Sequence, residues 1–288
     1  MVKLDSFDTL TQKHDEILTK GYCFNSAGTL KVSATGENYS FTSKVAEKRD
    51  EGMLGMAWAS FKWNAFTIKH KRNTDRYAQY IVKADLNKLL QGLEANADCK
   101  IWKNLDSTVD PSISLTYAYK DQANASIKLE TGSGRVTTSF TAGQKNLGLG
   151  FEGRFNYIEK SAEKATFATW LLKPRTRLIV KYSFGVVNNG ICSVDFYQKL
   201  TDRAKISAHL VKNIKSSVNE LEIGGAYLLD EFSEIKGKIQ SGGNMAMSLS
   251  RRLSENLMAT LATQINSESL VSHSDSKYRL GVRLDFNR

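Results

Sequence analysis

Period two dominates this chain. In RLIVKYSF (177–184), Leu178, Val180, Tyr182 and Phe184 alternate with Arg177, Ile179, Lys181 and Ser183. The rhythm recurs in Ile113, Leu115, Tyr117 and Tyr119, in Leu149, Phe151, Phe155 and Tyr157, and in Leu280, Val282, Leu284 and Phe286. Successive side chains of an extended chain point to opposite faces, so each stretch predicts a strand with one oily and one polar face. Short turn formers separate the strands, among them Thr35-Gly36-Glu37-Asn38, Asn73-Thr74-Asp75, Thr131-Gly132-Ser133-Gly134 and Asn188-Asn189-Gly190. That is the pattern of a hairpin meander. A chain made almost wholly of such strands must cover every oily face and close or protect every sheet edge.

Two architectures meet those demands. A soluble sandwich buries its oily faces between two sheets, whereas a membrane barrel turns them to lipid. The sequence has no run of about 18 apolar residues, so no membrane-spanning helix is expected. Barrel strands, at about 10 alternating residues each, escape that test. The oily positions are rich in Tyr, Phe and Leu, as a lipid-facing band with aromatic girdles would be, and the polar positions carry Lys and Arg within strands. Setting aside about 25 residues for an N-terminal helix leaves about 263, or about 14 per strand and turn for about 19 strands. The expected fold is therefore all-β: a single barrel over 27–287 in a single domain of 1–288. No linker or charge block divides it, and two prolines leave room for long ladders.

Two segments break the rhythm. In SFDTLTQKHDEILTK (6–20), Phe7, Leu10, His14, Ile17 and Leu18 form one helical stripe opposite Gln12, Lys13, Asp15, Glu16 and Lys20. A helix over 5–20 follows, with Asp5 or Ser6 as cap and Gly21 as stop. Its stripe suits packing against its own domain or lying on a membrane surface. YIVKADLNKLLQGLEA (80–95) can be read as a helix, but a strand–turn–strand turning near Asp85–Asn87 fits the neighbouring rhythm better.

The charge balance is +10, which favours acidic partners such as nucleic acid, anionic lipid or small anions. A soluble nucleic-acid binder would need exposed aromatic stacking platforms, and no nucleic-acid partner is expected. Cys23, Cys99 and Cys192 lie far apart without CxxC spacing, so reduced structural thiols are expected. The N-terminus MVKLDSFD has the features of neither a secretory signal nor a cleaved presequence. There is no P-loop, dinucleotide fingerprint, HExxH or GxSxG, and His14, His70, His209 and His273 are dispersed. No enzyme, cofactor or metal site is expected. GSG (132–134) and GLGFEG (148–153) sit at turns and strand starts with no helix after them, so their glycines read as turn and packing residues rather than a phosphate cradle.

The segment YLLDEFSEIKGKIQSGGNMAMSL (227–249) resembles the signature of eukaryotic mitochondrial porins, the voltage-dependent anion channels. Tyr227, Asp230, Ser233, Gly237, Lys238, Ile239, Ser241, Ala246, Met247 and Leu249 fit it; Glu231 and Gln240 depart from it. LTKGYCF (18–24), GTLKV (28–32) and NTD (73–75) are similar to the family's helix-to-strand junction, first strand and a turn. The resemblance runs from about residue 5 to the end, and this family's odd count of 19 strands is known. An odd count pairs the first and last strands in parallel. The resemblance implies a channel integral to the mitochondrial outer membrane, with the helix in the lumen and Leu10, Ile17 and Leu18 docked on its wall. Small anions and nucleotides (ATP, ADP, phosphate) would pass through it. Two positions differ: a lipid-facing glutamate of many members falls on His70, and a Gly-Leu-Lys triplet proposed as a nucleotide contact is here Gly92-Leu93-Glu94.

Strand parity puts Lys31, Lys69, Lys71, Arg175, Arg177, Lys181, Arg279 and Arg283 opposite the oily face. With Lys13 and Lys20 from the helix, these cations would make a wide, weakly anion-selective pore, voltage-gated through the charged helix. Two rivals stay open in the same membrane: the related protein-import barrel, usually longer at its N-terminus and acid-lined, and a non-conducting barrel serving as scaffold. A homo-oligomer is left open too. RLGVRLDF (279–286) resembles the C-terminal sorting signal of mitochondrial outer-membrane barrels, with Arg279, Gly281, Leu284 and Phe286 at its positions. The partner implied is the barrel-assembly machinery.

Overall fold

The computed structural model describes residues 6–287 except 25, 49–51, 75–76, 103–108, 121, 145, 186–189, 217–218 and 268–277. Asp5, a candidate cap, lies outside the described residues, as do Asp75 and Asn188–Asn189 of two predicted turns. Nineteen strands, numbered β1 to β19 along the chain, form one sheet that closes on itself. The strands run from 8 to 12 residues, bracketing the length that a tilted strand needs to cross a bilayer. Chain neighbours pair antiparallel, as tight turns require, for example β2 (Tyr39–Lys48) with β3 (Gly52–Trp63). The exception is the seam, where β1 (Ser26–Thr35) and β19 (Tyr278–Asn287) run parallel with Leu30 opposite Leu284 and Val32 opposite Phe286.

The ambiguous segment forms a hairpin. β5 (Tyr77–Asp85) and β6 (Leu93–Trp102) flank a turn that two side chains hold. The Asn87 amide donates to Asp85 Oδ1 at 2.9 Å and the Gly92 amide to Asn87 Oδ1 at 2.6 Å. Gly92 has φ +89, and a Cβ there would lie 2.0 Å from the Ala118 carbonyl oxygen, so glycine is required.

The N-terminal segment breaks where one helix was expected. A 3₁₀ turn over Phe7–Thr9 is followed by α1 (Gln12–Leu18). At the break the Thr9 hydroxyl donates to the Ser6 carbonyl at 3.1 Å, a local bond that competes with the helical ladder, while the Thr11 hydroxyl donates to the Asp15 carboxylate, Oγ1 to Oδ2 at 3.3 Å. Ser6 occupies the cap position without making a side-chain cap bond. Gly21 ends the segment at φ +94.

The two sheet faces differ as the alternation demands. Leu149, Ile239 and Met247 stand exposed on the outside, at 68, 59 and 53%. A continuous apolar exterior of this kind is what lipid covers. The inner face, identified by the N-terminal segment lying on it, carries Ser, Thr, Lys and Asp, with buried apolar residues where that segment docks.

Candidate functional site

The bore is shaped by a docked N-terminus. Phe7 and Leu10 pack on Ala168, Trp170 and Leu172 of β11 (Ser161–Leu172) and Ile179 of β12 (Thr176–Phe184). Ile17 and Leu18 pack on Tyr197 of β13 (Ile191–Lys199) and Ala226 of β15 (Asn219–Leu228). Leu10, Ile17 and Leu18 are 2% exposed or less. The stripe thus lies on the wall of its own barrel rather than on a membrane surface.

Inward glycines make room for it. A Cβ at Gly148 of β10 (Leu147–Asn156) would meet the Trp170 ring at 2.3 Å, and one at Gly150 the Phe7 ring at 3.0 Å. Gly224 gives the same clearance to Leu18, at 2.5 Å. Of the two roles read for the GLGFEG glycines, packing is the one seen at Gly148 and Gly150. Gly148 and Gly150 sit on the inner face of a strand, where a missing side chain admits a second layer.

The far end of α1 is clamped from β16 (Ser233–Gln240). Lys236 Nζ donates to the Glu16 carbonyl at 2.9 Å and Lys238 Nζ to the Leu18 carbonyl at 2.6 Å. Cations here satisfy orphan carbonyls and complement the negative end of the helix dipole. Lys238 also pairs with Glu222 at 2.8 Å and lies over the Tyr22 ring, 4.9 Å from its centroid. Burial, reinforced by Glu222 and Glu234, pushes the Tyr22 phenol well up, so it stays neutral. The linker then crosses β19, where the Cys23 thiol donates to the Gly281 carbonyl at 3.3 Å. A Cβ at Gly281 would come within 2.1 Å of the Cys23 carbonyl oxygen.

The histidines, dispersed in sequence, are not all dispersed in space. His14 Nε2 lies 3.6 Å from Asp195 Oδ1, and His209 Nδ1, from β14 (Ala204–Asn213), lies 2.5 Å from the same oxygen. His14 and Asp195 are buried, at 6 and 3%. These are groups that could hold a metal ion, contrary to the expectation from sequence spacing.

Register fixes where the expected cations point. Lys31 is opposite Asp285 across the seam. Lys69 and Lys71 of β4 (Phe66–Asn73) are opposite Ser60 and Trp58, on the side away from Phe66 and Ile68. Arg177 and Lys181 share the face of Ile179, hence of the docked segment. Lys181 Nζ is 5.9 Å from the Phe7 ring centroid, and Lys13 Nζ 5.9 Å from that of Tyr197. Lys20 is exposed in the turn after α1. Arg279 is exposed near the start of β19, and Arg283 forks onto the buried Asp285, Nε at 3.0 Å and Nη2 at 2.9 Å. Arg175 needs correction. It lies in the β11–β12 turn, beyond the reach of strand parity.

Sequence reading passed over Lys44, which stands opposite Lys31 on β2, and the clamp lysines 236 and 238. Several inward carboxylates are neutralised locally: Glu130 by Lys128 at 2.5 Å, Glu163 by Arg135 at 2.8 Å and Glu234 by Lys236 at 3.4 Å. On the outside, His70 packs against Tyr80, the rings tilted by 41° with centroids 4.6 Å apart. It shares its face with Ile68, so an imidazole is turned to lipid where many relatives are expected to carry a carboxylate. Leu280, Val282 and Phe286 are exposed on the outer face, and Leu284, half-buried, is on the same side.

A closed sheet with an oily exterior and a charged bore defines a membrane-embedded diffusion pore. Comparison with known proteins agrees: a family model described as eukaryotic porin matches residues 5–281, and the chain belongs to that family, one of channels rather than enzymes. A voltage-dependent anion-selective channel of Drosophila melanogaster is 19% identical over 285 residues, covering 97% of this chain and 98% of its own. Mitochondrial outer membrane protein porin 5 of Oryza sativa subsp. japonica is 20% identical over 270 residues, 92% of each. Among solved structures, a triple mutant of Rhodopseudomonas blastica porin superposes with a TM-score of 0.57 at 10% identity. The match covers 86% of this chain and 98% of that one, and it speaks to the fold alone.

Proposed function

We propose that this chain is a weakly anion-selective, voltage-gated pore of the mitochondrial outer membrane that passes small metabolites such as ATP, ADP and phosphate. The observation that carries this is the inward set Lys31, Lys44, Lys69, Lys71 and Lys181, set against inward carboxylates of which Glu130, Glu163, Glu222, Glu234 and Asp285 are ion-paired. In a wide aqueous bore an ion keeps much of its hydration, so wall charge sets preference. The preference fades as salt rises, because the Debye length is about 8 Å at physiological ionic strength. The docked segment is the candidate gate, since its charged side faces the bore and its hold on the wall is local. The relatives' names support the membrane and the anion preference.

Reconstitution in a planar bilayer under a KCl gradient tests the proposal. The expected reversal potential favours Cl⁻, and ATP on one side should carry measurable current. A reversal potential favouring K⁺ refutes anion selectivity. Removing residues 1–20 should flatten the conductance–voltage curve, and an unchanged curve refutes the gate.

A further inference from the structure

We propose that His14, Asp195 and His209 form a binding site for a divalent transition cation of the zinc class, one that ties the N-terminal helix to the barrel wall. One ligand atom from each lies within 4.8 Å of the others. Tetrahedral zinc with bonds of about 2.0–2.1 Å separates its ligand atoms by about 3.3 Å. His14 Nε2 and Asp195 Oδ1, at 3.6 Å, are already close to that spacing. His209 Nδ1 and Asp195 Oδ1, now hydrogen-bonded at 2.5 Å, would move apart by less than 1 Å, and the His209 proton would sit on Nε2.

An independent observation points to a ligand. His14 Nε2 is a buried polar atom with no hydrogen-bond partner, on a residue 6% exposed, and it faces the carboxylate. A buried imidazole nitrogen is normally satisfied, and a cation would satisfy this one. The other ring nitrogen, Nδ1, lies 3.4 Å from Asp15 Oδ1. A carboxylate behind a histidine is the usual way a metal-ligating ring is oriented and made more basic. Two imidazoles and one carboxylate suit zinc, with a fourth position left for water. Asp195 and His209 are fixed on β13 and β14, opposite one another in register, whereas His14 is on α1. Binding would therefore hold the docked position.

The full chain, refolded in detergent and treated with chelator, is titrated with Co²⁺ and then Zn²⁺. One equivalent of Co²⁺ should give the intense visible absorption of a tetrahedral site, and Zn²⁺ should displace it. His14→Gln, which leaves every strand untouched, should weaken binding at least about tenfold with an unaltered far-UV spectrum. Zn²⁺ should also slow amide exchange across 12–18 in the unsubstituted chain. His70→Gln, on the outer face, should change neither result. Equal affinity in His14→Gln, no saturable binding, or saturable binding without slowed exchange each overturns the proposal. These readouts need no bilayer, so they stand or fall apart from conduction.

Discussion

The inner wall of this barrel is two surfaces. Along β10 to β16 it is floored with glycine and alanine, and Trp170, Ile179 and Tyr197 are buried beneath Phe7, Leu10, Ile17 and Leu18. Along β2 to β5 no apolar cluster formed by the described N-terminal residues covers it. There Lys44, Lys69 and Lys71 share the face with Ser40, Ser60 and Trp58. The strands on both sides obey the same alternation, so the difference lies in what occupies the inward positions. Removing side chains from a wall invites a second layer, and adding long cations keeps the space aqueous.

Four substitutions would break or sharpen this contrast. Gly281→Val should have the largest effect, because the linker backbone occupies the space that its Cβ needs. Amide protection across 12–18 should vanish while the far-UV strand signal persists, and retained protection would show that the linker can take another path. Leu18→Ala should weaken docking by about 2–5 kcal/mol, the range for a fully buried leucine, read from the same amides. Lys238→Met removes the bond to the Leu18 carbonyl and the ion pair of Glu222, which keeps its bond from the Gln240 amide. A loss of about 1–3 kcal/mol in docking is expected, measured by exchange. Lys69→Glu on the bare wall should leave docking unchanged within about 0.5 kcal/mol, yet move the reversal potential toward K⁺. If it loosened α1, the two surfaces would not be independent.

Most of the barrel could be read from the alternation, because a residue's face in a strand is a local property that survives any partner. Lys31 and Leu30, or Arg283 and Leu284, are told apart by parity alone. Parity does not reach Arg175, which lies in a turn, and a hydrophobic stripe does not reveal that the Thr9 hydroxyl takes the Ser6 carbonyl where the helix breaks. His14 meets Asp195 and His209 through the choice of wall segment, a long-range fact with no signature in any short window. The sequence does carry one signal of that contact. Gly148, Gly150, Gly224 and Gly281 all fall on inward positions within strands, where an absent side chain marks the approach of another backbone or side chain.

The parallel seam has a consequence in time. Every other strand can pair with its chain neighbour as soon as the two are made, but β1 has a full complement of partners only when β19 arrives. Until then one edge of a growing, oily-backed sheet stays open, which is the condition in which strands pair with the wrong chain. Leu30 must find Leu284 across nearly the entire sequence, so the last contact to form is also the least local. Closure is thus a late checkpoint on synthesis. A chain that stalls before its final strand is left with two open edges.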